Sequence, residues 1–240
     1  MNRRIKKKHR KIYATAKQRK RNKELCKRYP FLIPRNVWTD EIIWDCQKDI
    51  RKWSYTLAEE FPKGWWKAFG LMLCEELRKD LIKCNYLRDF RLDQIKSKYG
   101  QLRAYTGPLP MESKANDIID KYTTLSENIC ELCGKPDVPM IGKRWINPEC
   151  FDCYYKRQIK HIKYCQKNGI EKPTTDCKTI PTREELLEWY NEEKTYEDDE
   201  RMADKRCYMT YSNGESKYVE IDISETAQKI RENYYGQSNR

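Results

Sequence analysis

Apolar residues recur at helical spacing in two stretches of the chain and alternate with polar ones in several shorter stretches. Between Trp65 and Cys84, the residues Trp66, Phe69, Leu73, Leu77, Leu81 and Cys84 fall three or four apart, which predicts an amphipathic helix with these side chains on one face. Pro62 and Gly64 mark its start and Asn85 its end. Ala115, Ile118, Ile119, Tyr122 and Leu125 predict a second helix of the same kind. Between the two, Phe90 and Leu92 read as a short strand. Ile95 and Tyr99 are spaced for a single helical turn that Gly100 ends, and Leu102 to Tyr105 alternates again before the Gly107 to Pro110 break. Upstream, the Pro-bracketed run Tyr29 to Pro34 predicts an extended segment lying against the body. Val37 to Tyr55 has large residues without one clear period and predicts no single element.

A different pattern follows the second helix. Cys130-Glu131-Leu132-Cys133-Gly134 and Cys150-Phe151-Asp152-Cys153 form C-x2-C-x16-C-x2-C. Two residues between ligands let both sulfurs of a pair reach one tetrahedral metal, so the spacing predicts a structural Zn2+ held by Cys130, Cys133, Cys150 and Cys153. Gly134 relieves crowding where the first knuckle turns back. Val138 to Ile141 and Arg144 to Ile146, around Gly142-Lys143, predict a hairpin between the pairs. A helix beyond Cys153 places the second pair at its N-terminus, where backbone N–H groups favour thiolate. The predicted arrangement is a zinc ribbon of treble-clef-like type. Four thiolates close the coordination shell and leave no open position for water. A metal-dependent nuclease on such a scaffold needs further His, Asn or Asp ligands. The only histidines are His9 and His161, and the hairpin strands contain neither.

Within the helix predicted from Tyr154 to Asn168, Lys156, Lys160, Lys163 and Lys167 form a basic stripe, and Tyr155, Ile159 and Ile162 another face. The stripe reads equally as a nucleic-acid contact and as a solvated face. His161 and Cys165, with Cys177 or Cys207, give a second potential metal site, although their irregular spacing fits scattered thiols better. Cys26, Cys46, Cys74 and Cys84 read as core or incidental residues. Thr182 and Glu185 predict a capping box for a helix from Arg183, and Cys207 to Tyr211 with Lys217 to Ile223 predict a hairpin around Ser212-Asn213-Gly214. Ser224 then caps a final helix.

Charge changes this picture more than composition does. The 240 residues carry 49 Lys and Arg against 37 Asp and Glu, a net +12. Residues 1 to 28 alone hold 14 of the bases and a single acid, and the remainder is nearly neutral, with 35 bases against 36 acids. Like charges repel, so this arm is expected to be disordered or only partly helical, with apolar residues too sparse for a core-facing stripe. Arg3, Arg4, Lys6, Lys7, Lys8, Arg10, Lys11, Lys17, Arg19, Lys20 and Arg21 are its candidate contacts to DNA or RNA phosphates. A solubilising tail and a nuclear-localisation signal share that composition. Residues 183 to 204 are the counterpart, with 10 acids and 3 bases. They read as a solvated helix or as a segment that masks the arm. No apolar run is long enough for a membrane helix, no signal peptide is recognisable, and 11 cysteines without a secretion signal point to reduced thiols.

The expected organisation is α+β. It comprises a basic arm (1–28), a small helical and strand body (29–129), the zinc ribbon with its basic helix (130–170), a linker with an acidic helix (171–204) and a C-terminal hairpin and helix (205–240). Glu75, Glu76 and Asp80 offer a catalytic or metal reading, against which Glu75 and Lys79 form an ordinary helical surface pair. An enzyme on those carboxylates is the weaker expectation.

Gly64-Trp65, Ala68-Phe69-Gly70, Cys74-Glu75-Glu76, Gln94-Ile95-Lys96, Lys98-Tyr99-Gly100, Leu102-Arg103, Cys130-x2-Cys133-Gly134-Lys135-Pro136 and Trp145-Ile146-x-Pro148-x-Cys150-x2-Cys153 stand in this order. Over residues 29 to 155 the chain thereby resembles a group of uncharacterised bacteriophage and prophage proteins, departing from it at Ala104-Tyr105. The resemblance implies a viral or mobile-element origin and a bacterial cytoplasm as the location. It leads to two functional expectations. One is a non-enzymatic, zinc-stabilised protein that binds nucleic acid or a nucleoprotein complex through the basic arm. The other is an inhibitor of a host defence effector, of the kind that blocks a CRISPR complex.

Overall fold

A computed structural model describes residues 14–43, 51–142, 145–170, 179–194, 206–210, 216–220 and 222–237, the side chains of 206–220 and 237 excepted. Arg3, Arg4, Lys6, Lys7, Lys8, Arg10 and Lys11 of the arm lie outside the described residues. So do Cys46, Cys177, the Lys143-Arg144 tip of the ribbon hairpin, the acidic stretch 195–204 and the Ser212-Asn213-Gly214 turn. The chain is mixed helix and sheet and divides into two units, residues 1–98 with 102–123 and residues 99–101 with 124–240.

In the first unit, Thr15 starts α1 (Ala16–Arg28) by accepting from the Gln18 N–H at 3.1 Å. One side of this helix is buried through Asn22 and Cys26, and the Asn22 amide donates to the Trp53 carbonyl and the Glu59 carboxylate. The second half of the basic segment is thus a docked helix rather than part of a core-free arm. Counting aliphatic and aromatic residues conceals this, because an amide and a thiol make the buried face. Burial, with the Glu59 charge adding to it, pushes the Cys26 thiol up to about 12. Pro30–Leu32 is a 3-10 turn, not the expected extended segment, since Pro30 at its first position pre-sets φ. Phe31 packs edge-on against Phe90, ring centroids 5.5 Å apart.

Lys63–Trp65, a π-helical turn Trp66–Gly70 and α2 (Leu71–Lys83) run on without a break. Trp65, Phe69, Leu73, Leu77 and Leu81, four apart throughout, are its buried face. The expected face instead began at Trp66 and ended at Cys84, both only half-buried. Each four-residue step over-rotates an α-helix by roughly 40°, and the wider π turn takes part of that back. Trp65 is brought onto the stripe in this way. Gly70 permits the arrangement, because a Cβ there would come within 2.8 Å of Cδ2 of the Trp66 indole. At the other end Asn85, at φ 52°, closes the helix as expected. The Tyr86 N–H reaches the Leu81 carbonyl at 2.8 Å and the Asn85 N–H that of Ile82 at 3.0 Å, a Schellman pair.

β1 (Leu92–Lys98) pairs with β2 (Gln101–Thr106) across Tyr99-Gly100, whose φ values of 53° and 76° suit a two-residue hairpin turn. The helical turn expected at Ile95 to Tyr99 is therefore strand. Ile95 and Tyr99 are four apart as in a helix, but Ile95 is buried in the strand while Tyr99 is exposed in the hairpin turn. In α3 (Ala115–Ser126) the buried apolar residues are Ala115, Ile119, Tyr122 and Leu125, with Ile118 half-buried, and the Tyr122 ring packs on Phe69 at 5.3 Å.

In the second unit, β3 (Met140–Ile141) pairs antiparallel with β4 (Asn147–Pro148), Met140 opposite Pro148 and Ile141 opposite Asn147. The return strand lies beyond the Arg144 to Ile146 expected for it. α4 (Phe151–Asn168) buries Tyr154, Ile162 and Cys165, whereas Tyr155 and Ile159 are only half-buried. Thr182 and Glu185 form the expected capping box of α5 (Arg183–Glu192). Leu186 and Tyr190 are buried, and the Tyr190 ring meets Tyr154 at 5.2 Å and Phe151 at 5.5 Å. The described part of the acidic segment is therefore a helix docked on α4. β5 (Arg206–Thr210) and β6 (Ser216–Glu220) pair antiparallel, Arg206 opposite Glu220. α6 (Ser224–Gln237) follows. Asp222 supplies its cap, accepting from the Ser224 N–H at 2.9 Å, so the capping oxygen is not the expected Ser224 hydroxyl.

Candidate metal centre

Cys130 and Cys133 lie on a turn, and Cys150 and Cys153 at the beginning of α4, where Cys150 is the N-cap residue. The turn is closed by the Gly134 N–H donating to the Cys130 carbonyl at 2.9 Å and the Cys130 N–H donating to that of Lys135 at 2.8 Å. Gly134 has φ 83°, a value at which a side chain would be strained. The Glu131 N–H donates to Pro148 at the end of β4, at 2.9 Å, which ties the first knuckle to the strand leading into the second.

These ties bring the four sulfurs within 4.8 Å of one another, with Cys133 and Cys150 at 3.6 Å. A tetrahedron with metal–sulfur bonds of about 2.3 Å has edges of about 3.8 Å. The donor set fits a tetrahedral thiolate-bound ion, and the quartet can hold a metal. Among the described residues it is the one group of three or more potential ligands gathered on a point. Val138, buried between Cys130 and Cys150, walls the site on its inner side.

Charge on Cys130 is gained at the expense of Cys150 and Cys153. The Cys150 thiol, hydrogen-bonded to the Cys130 sulfur, does most to pull Cys130 down to about 4, and the N–H groups of Cys150, Cys133 and Leu132 add to this. Cys150 is pushed up for the same reason, and Cys153 rises to about 12 through burial and the Cys130 charge. A cation is what lets all four become thiolate together.

Flanking groups hold the frame. Glu149, next to Cys150, is buried and accepts from Arg157 Nη2 at 2.8 Å, while its carbonyl accepts from the Tyr190 hydroxyl at 2.8 Å. Arg183 of α5 pairs with Asp152 at 2.7 Å and stands over the Phe151 and Tyr155 rings at 4.8 and 5.1 Å. From α6, Arg231 grips Asp137 with bonds of 2.6 and 2.9 Å, and Tyr234 hydrogen-bonds the Cys133 sulfur. No spacing in the sequence announces these last two contacts.

The other candidate residues fall elsewhere. Lys156, Lys160, Lys163 and Lys167 are exposed along α4, and none forms an ion pair among the described residues. On α1, Lys17 and Lys20 are exposed, Arg19 donates to the Ala14 carbonyl, and Arg21 stands 3.8 Å from Glu59. His161 Nε2 lies 3.6 Å from Cys165 Sγ, but no third ligand joins them among the described residues. Glu75, Glu76 and Asp80 turn to separate partners. Glu75 accepts from Arg28, Arg78 and Tyr29 rather than from Lys79, Glu76 accepts from Lys121 and Tyr122, and Asp80 accepts from Ser113 and the Lys114 N–H. They are half-buried ties between elements, not a solvated face. Comparison with protein-family models, with curated proteins and with solved structures returns no match.

Proposed function

We propose that the chain is a nucleic-acid-binding protein whose ribbon, of treble-clef-like type, is stabilised by a structural Zn2+ at Cys130, Cys133, Cys150 and Cys153, and whose basic segment and α4 lysines contact phosphates. The four-thiolate donor set favours Zn2+, and its closed shell gives the ion a role in folding rather than in activating water. The observation that carries the binding reading is α4. Its buried side and its N-terminal cysteines fix the helix in place, while Lys156, Lys160, Lys163 and Lys167 line its solvent side over about 16 Å. Removing residues 2–28 is a poor test, because it takes away buried Asn22 and Cys26 with the charge. Neutralising Arg3, Arg4, Lys6, Lys7, Lys8, Arg10 and Lys11 to Gln in one variant and the four α4 lysines in another leaves Asn22 and Cys26 in place. Each variant is expected to bind DNA more weakly, with the slope of log K against log salt shallower by about 0.9 for every phosphate no longer neutralised. Slopes equal to that of the unaltered chain would overturn the proposal.

One observation favours a second reading, the inhibitor of a host nucleic-acid-processing effector. α5 is docked through Leu186 and Tyr190 so that Glu184, Glu188 and Glu192 stay exposed, a row of carboxylates that can imitate phosphates. Host proteins retained by the full chain after nuclease treatment of a lysate support that reading. Loss of all partners on nuclease treatment returns to the first.

A further inference from the structure

The hairpin β1–β2 combines cations with an exposed aromatic ring that one of those cations holds in place. In β2, Leu102 is fully buried while Arg103 and Tyr105 are exposed. In β1, Ile95 is buried, Lys96 half-buried, and Gln94 and Lys98 exposed. The Lys96 ammonium stands 5.2 Å from the Tyr105 ring centroid, so both strands present these two residues on the same side. Alternation along each strand adds Leu92, Gln94 and Lys98 from β1 and Gln101 and Arg103 from β2. The two strands thus contribute three cations, two amides, a phenol ring and buried Leu92 to that side, where Gln101 donates to the Glu127 carboxylate at 2.6 Å, and Asp93, the one acid within the strands, alternates to the other. Tyr105 is 44% exposed although Lys96 holds its ring, so the aromatic surface is both positioned and accessible.

We propose that this face of the hairpin docks single-stranded nucleic acid, with Lys96, Lys98 and Arg103 along the phosphates and Tyr105 stacked on an unpaired base. The proposal rests on the nucleic-acid reading above and extends the contact from the basic segment to a sheet face of the folded body. Three cations gathered on one side of a two-stranded sheet fit a polyanion. The ring selects single strands, because a base inside a duplex has no free face to offer. Stacking also makes the contact tolerant of sequence, since every base has such a face.

The test is a fluorescence anisotropy titration of the full chain with a labelled single-stranded oligonucleotide and with its duplex, over a range of salt. Tyr105→Ala is expected to lower single-strand affinity about tenfold with the salt slope unchanged, and Tyr105→Phe to restore it. Lys96→Gln, Lys98→Gln and Arg103→Gln together are expected to make the slope shallower by about 2, at about 0.7 per cation on a single strand. Duplex binding that is stronger than single-strand binding and unaffected by Tyr105→Ala would overturn the proposal. If the hairpin variants bind as the unaltered chain does while neutralising the N-terminal cations or the α4 lysines weakens binding, the hairpin proposal fails and the wider reading stands. No binding of either nucleic acid by the unaltered chain overturns both.

Discussion

Glu75 exemplifies how single side chains in this protein work across sequence distance. Hydrogen bonds from Arg78, with Arg28 and Tyr29 adding to them, hold its carboxyl well below the ordinary 4.5, at about 2. A depressed carboxylate stabilises the fold in full above its unfolded value and loses that contribution as the pH falls toward the folded value. Glu75→Gln is therefore expected to be less stable than the unaltered chain at pH 7, with the gap narrowing below about pH 4.5 and closing near pH 2. Guanidinium midpoints measured across that window check this, and a gap that stays constant with pH would contradict it. The partners explain why the residue reads as a surface glutamate in sequence. Arg28 is 47 positions away, and Lys121, the partner of Glu76, is 45. An i+4 rule finds Lys79 and cannot see either.

Elements were legible where local spacing agrees with the final geometry. α3 and the helix through α2 follow their apolar periodicity, because their burial repeats on one face. The hairpin does not, since Ile95 and Tyr99 imitate a helical step while the Tyr99-Gly100 turn fixes a strand pair. The π turn is a further case in which one residue alters the reading. Gly70 lies in helix, where alanine ordinarily gains about 1 kcal/mol. Here the added Cβ would meet the Trp66 ring, and overpacking costs about 1–3 kcal/mol. Gly70→Ala is thus expected to lower the melting temperature, and Gly70→Ala combined with Trp66→Leu to regain part of the loss. A melting temperature raised by Gly70→Ala alone would mean that Trp66 does not rest on Gly70 in solution.

For the molecule as a whole, the cysteine quartet was the most legible feature, since its spacing is the one tetrahedral thiolate coordination asks for and needs nothing remote. What surrounds it was not legible. The contacts of α5 and α6 with the ribbon depend on Arg183, Asp137, Arg231 and Tyr234, residues that carry no signature on their own. A metal on the quartet would thus frame the second unit, while the first has its own core around Trp65, Phe69, Leu73 and Tyr122. Cys130→Ser or Cys150→Ser, or a strong chelator, is expected to release the metal and melt α4, α5 and α6, with amides of α2 and α3 up to Tyr122 remaining protected from hydrogen exchange. Loss of protection across both units at once, or an unchanged metal content in the variants, would contradict this.

The clasp between Asp137 and Arg231 spans 94 residues. At about 5–20 residues per second of synthesis, roughly 5 to 20 s separate the emergence of the first knuckle from that of the helix that covers it. During that interval the ribbon has its own turn and strand ties but lacks Tyr234 on Cys133. A metal bound by the quartet in that interval would enter before closure, and the last helix would act as a latch over a centre already loaded.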